Sequence, residues 1–211
     1  MHFLQGIPGF MGTAFLLAMV PGQGVAMILR QSILGGRTAA IWSVLGNSSG
    51  LIVWGTLSSV GLSAIFAASP TAYNILKWIG VAFLCGLSIQ TLLQLRHASG
   101  KFELDGKVNS SRGAAYRLGL ITNLSNVKAA VFAVAFVPAF VPKDFNLGLG
   151  IFILGFIWAF TSLAWYLILI SMVDRASVQL SKAKTRRILT GLSAVGILAL
   201  ALGLALSQHH A

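Results

Sequence analysis

Six stretches of this chain are continuously apolar for about 20 residues or more, the length an α-helix needs to cross a hydrocarbon core roughly 30 Å thick. They cover residues 7–29, 38–66, 73–95, 118–141, 147–173 and 188–206. Inside a bilayer no water satisfies backbone N–H and C=O groups, so such a run crosses only as a helix or as a strand of a closed barrel. The runs do not alternate with period two, which argues against the barrel. Only 9% of the residues are charged, against about one quarter in a soluble domain. The expected fold is an all-α integral membrane protein of six transmembrane helices.

The net charge is +11, which in a soluble protein would suggest nucleic acid, but here the location of the charges decides. Arg30 and Arg37 follow the first run; Arg96, Lys101, Lys107, Arg112 and Arg117 follow the third; Arg175, Lys182, Lys184, Arg186 and Arg187 follow the fifth. Lys143 alone lies in the opposite loops, with Lys77 and Lys128 inside or at the edge of runs. The positive-inside rule therefore predicts cytoplasmic loops after runs one, three and five, and both termini outside the cytoplasmic membrane. Anionic lipid accounts for the basic face without any nucleic acid. No Lys or Arg precedes Arg30 and no small-x-small site follows a short apolar core, so the first run reads as a retained span and not as a cleaved signal. Cys85, the single cysteine, can form neither an internal disulfide nor a CxxC metal site and reads as packing.

The longest polar segment, residues 96–117, divides one membrane domain into a first triplet of spans (about residues 1–95) and a second (about 118–211). Three is odd, so the second triplet starts from the other side of the membrane, as in an inverted repeat. AMVPGQ at 18–23 and AFVPAF at 135–140 place Pro21 and Pro138 at comparable points of the two triplets. Interrupted helices at matching positions point to a transport site. In VPGQGVA, at 20–26, Pro21 removes a donor while Gly22 and Gly24 relax the chain, a combination tolerated at membrane depth only where backbone lines a cavity. That break reads as a binding element, with Pro21 and Pro138 as the points of flexing. Gly46 and Gly50 read as helix packing.

Counted from the cytoplasmic ends at 1.5 Å per residue, Gln23, Asn47, Asn123, Asn126 and Lys128 lie about 9–16 Å deep, with Ser48 beside Asn47. Polar groups from three spans at one depth suggest a shared wet cavity, the alternative being amide pairs that hold helices together for about 0.6 kcal/mol each. Lys128 is the sharpest case: Glu103, Asp105, Asp144 and Asp174 all lie outside the interiors of the runs. An intramembrane cation of this kind deprotonates, rests among water and carbonyls, or meets an arriving anion such as a carboxylate. In a regular helix Lys128 would point about 140° away from Asn123, so one cavity takes both only if the segment unwinds or the cavity wraps around it.

These same residues carry a resemblance to the LysE/RhtB family of amino-acid exporters. It rests on PGQGVAMILRQSILGGR at 21–37, LGNSSG at 45–50, LSAIFAASPTAYNILKWIGVAFL at 62–84 and NLSNVKAAVFAVAFVPAFV at 123–141, in that order and spacing. The resemblance implies a small six-helix inner-membrane exporter of amino acids or related metabolites driven by the proton motive force. Three positions depart from the family pattern: Gln23 stands where a second proline is usual, Leu51 where an acidic residue is usual, and Val127 where proline is usual. Leu51 removes the family's intramembrane carboxylate, and with it any proton relay or ammonium site at that position.

The functional expectation is a secondary exporter of a small zwitterion. Lys128 meets the substrate carboxylate, and Gln23, Asn47, Ser48, Asn123 and Asn126 orient it. Lys128 is also the one deep titratable group, hence the candidate for proton coupling, since His2, His97, His209 and His210 fall in loops or tails. The alternatives are a passive channel and a metal-ion exporter. The latter lacks the carboxylate, imidazole or clustered thiolate ligands a metal needs. An intramembrane hydrolase would require an acid pair, an HExxH or a serine with a nearby base, and none occurs in the runs. No cofactor is expected. The partners are an amino-acid-like solute and lipid, and a homo-oligomer is compatible with the sequence.

Overall fold

The computed structural model describes residues 2–20, 22–96, 108, 111–180 and 183–206. Within them the chain forms helices α1 (His2–Met19), α2 (Gln23–Leu34), α3 (Gly36–Ala68), α4 (Pro70–Arg96), α5 (Arg112–Leu124), α6 (Val127–Val131), α7 (Leu147–Leu180) and α8 (Ala183–Leu206). A π turn, Phe132–Phe136, and a 3-10 turn, Val137–Phe140, continue α6. No strand occurs among the described residues. Pro21, most of the 96–117 linker, Lys182 and the tail with His209 and His210 lie outside the described residues.

Leu147–Val173 of α7 is by itself long and apolar enough to cross a membrane. Two bent pairs qualify together: α1 with α2, at 61°, and α5 with Val127–Phe140, at 56°. The α2–α3 turn and the second break each have a local cause. Gly36, at φ +77°, is the single described residue with positive φ, and it lets α2 turn directly into α3, with the Gly35 N–H donating to Gln31 O. In the second half, α5 stops at Leu124 and Asn126 starts α6 as an N-cap, its Oδ1 accepting from Lys128 N at 3.1 Å. Ten residues further, Pro138 has no N–H to offer Val134 O. The chain there loosens, with Val137 N–H donating to Phe132 O, and then tightens into the 3-10 turn. The second bend thus falls at Ser125–Asn126, while Pro138 sits buried in the irregular segment beyond it.

Side-chain size governs how the helices cross. α3 packs against both α5 and α7, α4 runs along α8, and α1 lies on α7. At the α3–α5 crossing a methyl group on Gly119 would land on Ser43 O, and one on Gly46 on Tyr116 O. At the α3–α7 crossing the backbones meet at Gly55 and Gly155, where an added Cβ on either would lie 2.9 Å from the other's Cα. Between α4 and α8, buried Ser88 Oγ donates to Ala194 O at 2.9 Å. One apolar cluster is built on the rings of Phe10, Phe132, Phe136 and Trp158, with Phe140 packed against it. A second gathers Met27, Ile28, Tyr166 and Ile170 around α2.

Candidate functional site

A helix that ends leaves its last carbonyls without N–H partners. In α1 the carbonyl of Leu17 would look four residues on for a donor, to position 21, which is proline and has none. The Lys128 ammonium takes that place: Nζ donates to Leu17 O at 3.2 Å and to Val20 O at 3.4 Å. A cation at the C-terminal end of α1 also meets the negative end of that helix's dipole. Lys128 comes from the turn just past the second break, so the two interrupted segments meet through this side chain. No ion pair to it forms among the described residues.

On the other side of the gap α2 begins. Its N-cap, Gly22, offers no side chain, and a Cβ built there would lie 3.6 Å from Lys128 Nζ. The first N–H groups of α2 have no helical acceptor, and they carry the positive end of its dipole. One step further, buried Gly24 faces two oxygens: its added Cβ would lie 3.2 Å from Tyr166 Oη and 3.6 Å from Asn47 Oδ1. Asn47 and Asn123 are both 2% exposed, and Asn123 Nδ2 donates to Asn47 Oδ1 at 3.2 Å. Asn123 Oδ1 packs against Gly50, where a Cβ would come within 2.6 Å of it, so this glycine is needed for close approach. The break at Ser125 removes the 140° conflict, because Asn123 and Lys128 no longer share a regular helix. The Asn123 carbonyl, released from helical bonding, accepts from Asn126 N (3.0 Å) and Trp54 Nε1 (3.3 Å).

The structure therefore gathers Gly22, Gly24, Asn47, Asn123 and Lys128 around the start of α2. Ser48, next to Asn47 along α3, is buried, its Oγ without a partner among the described residues. Asn126 is engaged as a helix cap. Gln23, between Gly22 and Gly24 in the chain, is exposed. Pro138 lies with the aromatic cluster, and Pro21 lies outside the described residues. Leu51, at the position of the missing carboxylate, is 3% exposed in the same apolar cluster. Two groups that sequence reasoning missed complete the picture. The freed carbonyl of Leu17 follows from a proline four residues after a leucine, and that of Val20 from the end of α1 at Met19. Tyr166 carries a hydroxyl at depth, which ordinarily needs a polar neighbour.

The LysE type translocator family matches residues 15–208. An uncharacterized membrane protein of Bacillus subtilis, YrhP, is 22% identical over 206 residues, 92% of this chain and 96% of its own. A homoserine/homoserine lactone efflux protein of Salmonella typhimurium is 37% identical over 130 residues, 61% of either chain. An uncharacterized membrane protein of Vibrio cholerae is 30% identical over 129 residues. No solved structure matches. The family match covers both helix breaks and the helices that carry Asn47 and Tyr166, and the chain belongs to the LysE type translocators, a family of membrane proteins.

Proposed function

We propose that this protein is a secondary exporter of small zwitterionic metabolites of the amino-acid type, built from six spans in two inverted triplets with both termini outside. The observation that carries it is the Lys128 ammonium resting on Leu17 O and Val20 O, beside the N-terminus of α2. A zwitterion fits that arrangement at both ends. Its carboxylate takes the Lys128 ammonium and the free N–H groups at Gly22–Gly24, and its own ammonium replaces Lys128 on the freed carbonyls. The substrate thereby substitutes for an internal contact at little net loss of hydrogen bonding, as alternation between empty and loaded states requires. Half-helix ends that meet an anion at one terminus and a cation at the other recur in secondary transporters.

The pairing of helices supports the inverted repeat. The first broken segment meets the second through Lys128, α3 meets α7, and α4 meets α8: each element contacts its counterpart in the other triplet. At the α3–α7 crossing the approach is reciprocal, since the added Cβ of Gly55 lies 2.9, 3.7 and 3.9 Å from Gly155 Cα, C and N, and the reverse distances are the same. A local two-fold axis between the two glycines has this geometry. The efflux relative in Salmonella typhimurium agrees in direction and solute class.

Export from proteoliposomes loaded with labelled amino acids tests the reading. Lys128→Met is expected to lower export by at least tenfold while the protein still accumulates in the membrane. Wild-type rates in the variant would overturn the carboxylate role. Flux unchanged after the proton gradient is collapsed would favour a channel.

A further inference from the structure

The two helix breaks are closed in different ways. At the end of α5 the chain meets its own carbonyls: Ser125 N and Oγ donate to Ile121 O at 2.9 and 2.8 Å, Ser125 Oγ lies 3.4 Å from Thr122 O, and Asn126 N donates to Asn123 O at 3.0 Å. At the end of α1, Leu17 O and Val20 O are met by the Lys128 ammonium. The second break is thus a turn closed on itself, and a side chain it carries completes the first. Such a turn still needs an attachment outside itself to hold that side chain at a set place in the bundle.

Helix α3 supplies the attachment. Asn47, Gly50 and Trp54 stand at i, i+3 and i+7 and so share one helix face, and all three close on Asn123. Asn47 Oδ1 accepts from Asn123 Nδ2 at 3.2 Å. Gly50 leaves room for the Asn123 side chain, whose Oδ1 and Cβ would lie 2.6 and 2.7 Å from an added Cβ. Trp54 Nε1 donates to Asn123 O at 3.3 Å. The Trp54 ring packs against the apolar cluster that contains Phe132, a task any apolar ring performs. Its N–H does something further: it is a second donor to a carbonyl that Asn126 N already meets, which the two lone pairs of that oxygen permit.

On the exporter reading above, on which this inference rests, we propose that Trp54 is a positioning residue for Lys128. The hydrogen bond from its indole N–H to the Asn123 carbonyl pins the turn at Ser125 to α3 and so keeps the ammonium where a substrate carboxylate is bound. Trp54 itself touches no substrate. Without the bond the turn takes other orientations against α3, Lys128 is in place for only part of the time, and apparent affinity falls with that fraction. Turnover of the loaded carrier is unchanged, because there the substrate holds Lys128.

Two substitutions separate the hydrogen bond from the packing. Trp54→Phe keeps an apolar ring and loses the donor. Trp54→His keeps a donor, since imidazole Nε2 occupies the same place in its five-membered ring as indole Nε1, and loses the second ring. Export is measured from proteoliposomes loaded with labelled amino acids, with kinetics read on the one exported fastest, at about pH 8 so that imidazole is neutral. Trp54→Phe is expected to raise KM about fivefold, the size of one hydrogen bond, with kcat near wild type, and Trp54→His to bring KM back to within about twofold of wild type. The reverse order, with Trp54→Phe near wild type and Trp54→His impaired, shows packing alone and overturns the proposal, as does a fall in kcat with KM unchanged. Hydrogen exchange of Trp54→Phe in detergent is expected to quicken at residues 126–128 and to stay unchanged along α7; no quickening at those amides overturns the proposal while the exporter reading stands. If wild type exports no amino acid, the exporter reading falls and this inference with it.

Discussion

Lys128 takes its position from a hydrogen bond that a proline cannot make. Of the three fates open to an intramembrane cation, the structure shows the resting place among carbonyls, and the two carbonyls are those a helix break releases. Lys128 was legible in the sequence because a lysine with no acid in any apolar run stands out. Its partners were not, because backbone carbonyls carry no letter. Tyr166 escaped for the opposite reason: in WAFTSLAWYLILIS it sits in a mainly apolar stretch where one more aromatic ring does not stand out. The Asn47–Asn123 pair makes a prediction at this scale. A double-mutant cycle with Asn47→Ala and Asn123→Ala, read by thermal unfolding in detergent, is expected to give a coupling of about 0.6 kcal/mol. Zero coupling would show that the 3.2 Å contact contributes no interaction.

The elements follow from local chemistry that was only half visible. The first break was expected at PGQG and occurs between Met19 and Gln23. The second bend follows the Asn-Leu-Ser-Asn sequence, where Ser125 and Asn126 can bond the backbone in place of the helix. The more conspicuous Pro138 draws attention away from it. Pro21→Ala restores the missing donor to Leu17 O, so α1 and α2 can continue into one another. Export is expected to fall several-fold while thermal stability in detergent holds or rises, since an interior proline costs a helix about 3 kcal/mol. Unchanged export would mean the break is dispensable. The glycine crossings supply a second test. Gly119→Ala forces a methyl into Ser43 O, whereas nothing lies within 4 Å of a Cβ on Gly61 of the same bundle. Membrane accumulation of a fluorescent fusion is expected to drop sharply for Gly119→Ala and to stay near wild type for Gly61→Ala. Equal accumulation of the two would remove the steric argument.

At the scale of the whole molecule, the apolar runs read from sequence reappear as long or broken helices, and the pairing of first-half with second-half elements emerges only in three dimensions. Apart from AMVPGQ and AFVPAF, little in the sequence announces that pairing, because the contacts that make it lie where backbones touch, as at Gly55 and Gly155. Phe132, one turn beyond Lys128, is fully buried against Phe10, Phe136 and Trp158. On the exporter reading proposed above, this ring cluster is the expected outer gate, on the side where the termini are proposed to lie. In a Cys85→Ser background, Phe132→Cys is expected to react with an impermeant thiol reagent from outside only when exportable substrate is supplied inside. Equal labelling with and without substrate would argue against these rings as an outer gate.

The perch of Lys128 on neutral carbonyls has an electrical consequence. On the exporter reading proposed above, and with no fixed anion beside it among the described residues, a charged Lys128 leaves the empty site one positive charge in excess, and a bound zwitterion does not change that excess. Each conversion that carries the site through the membrane field moves charge, worth up to about 2.3 kcal/mol per 100 mV. A cell interior held negative would draw the vacant site back towards the cytoplasm, where it reloads, and would resist its outward passage. Voltage would then set the turnover of this carrier even where no ion crosses with the solute.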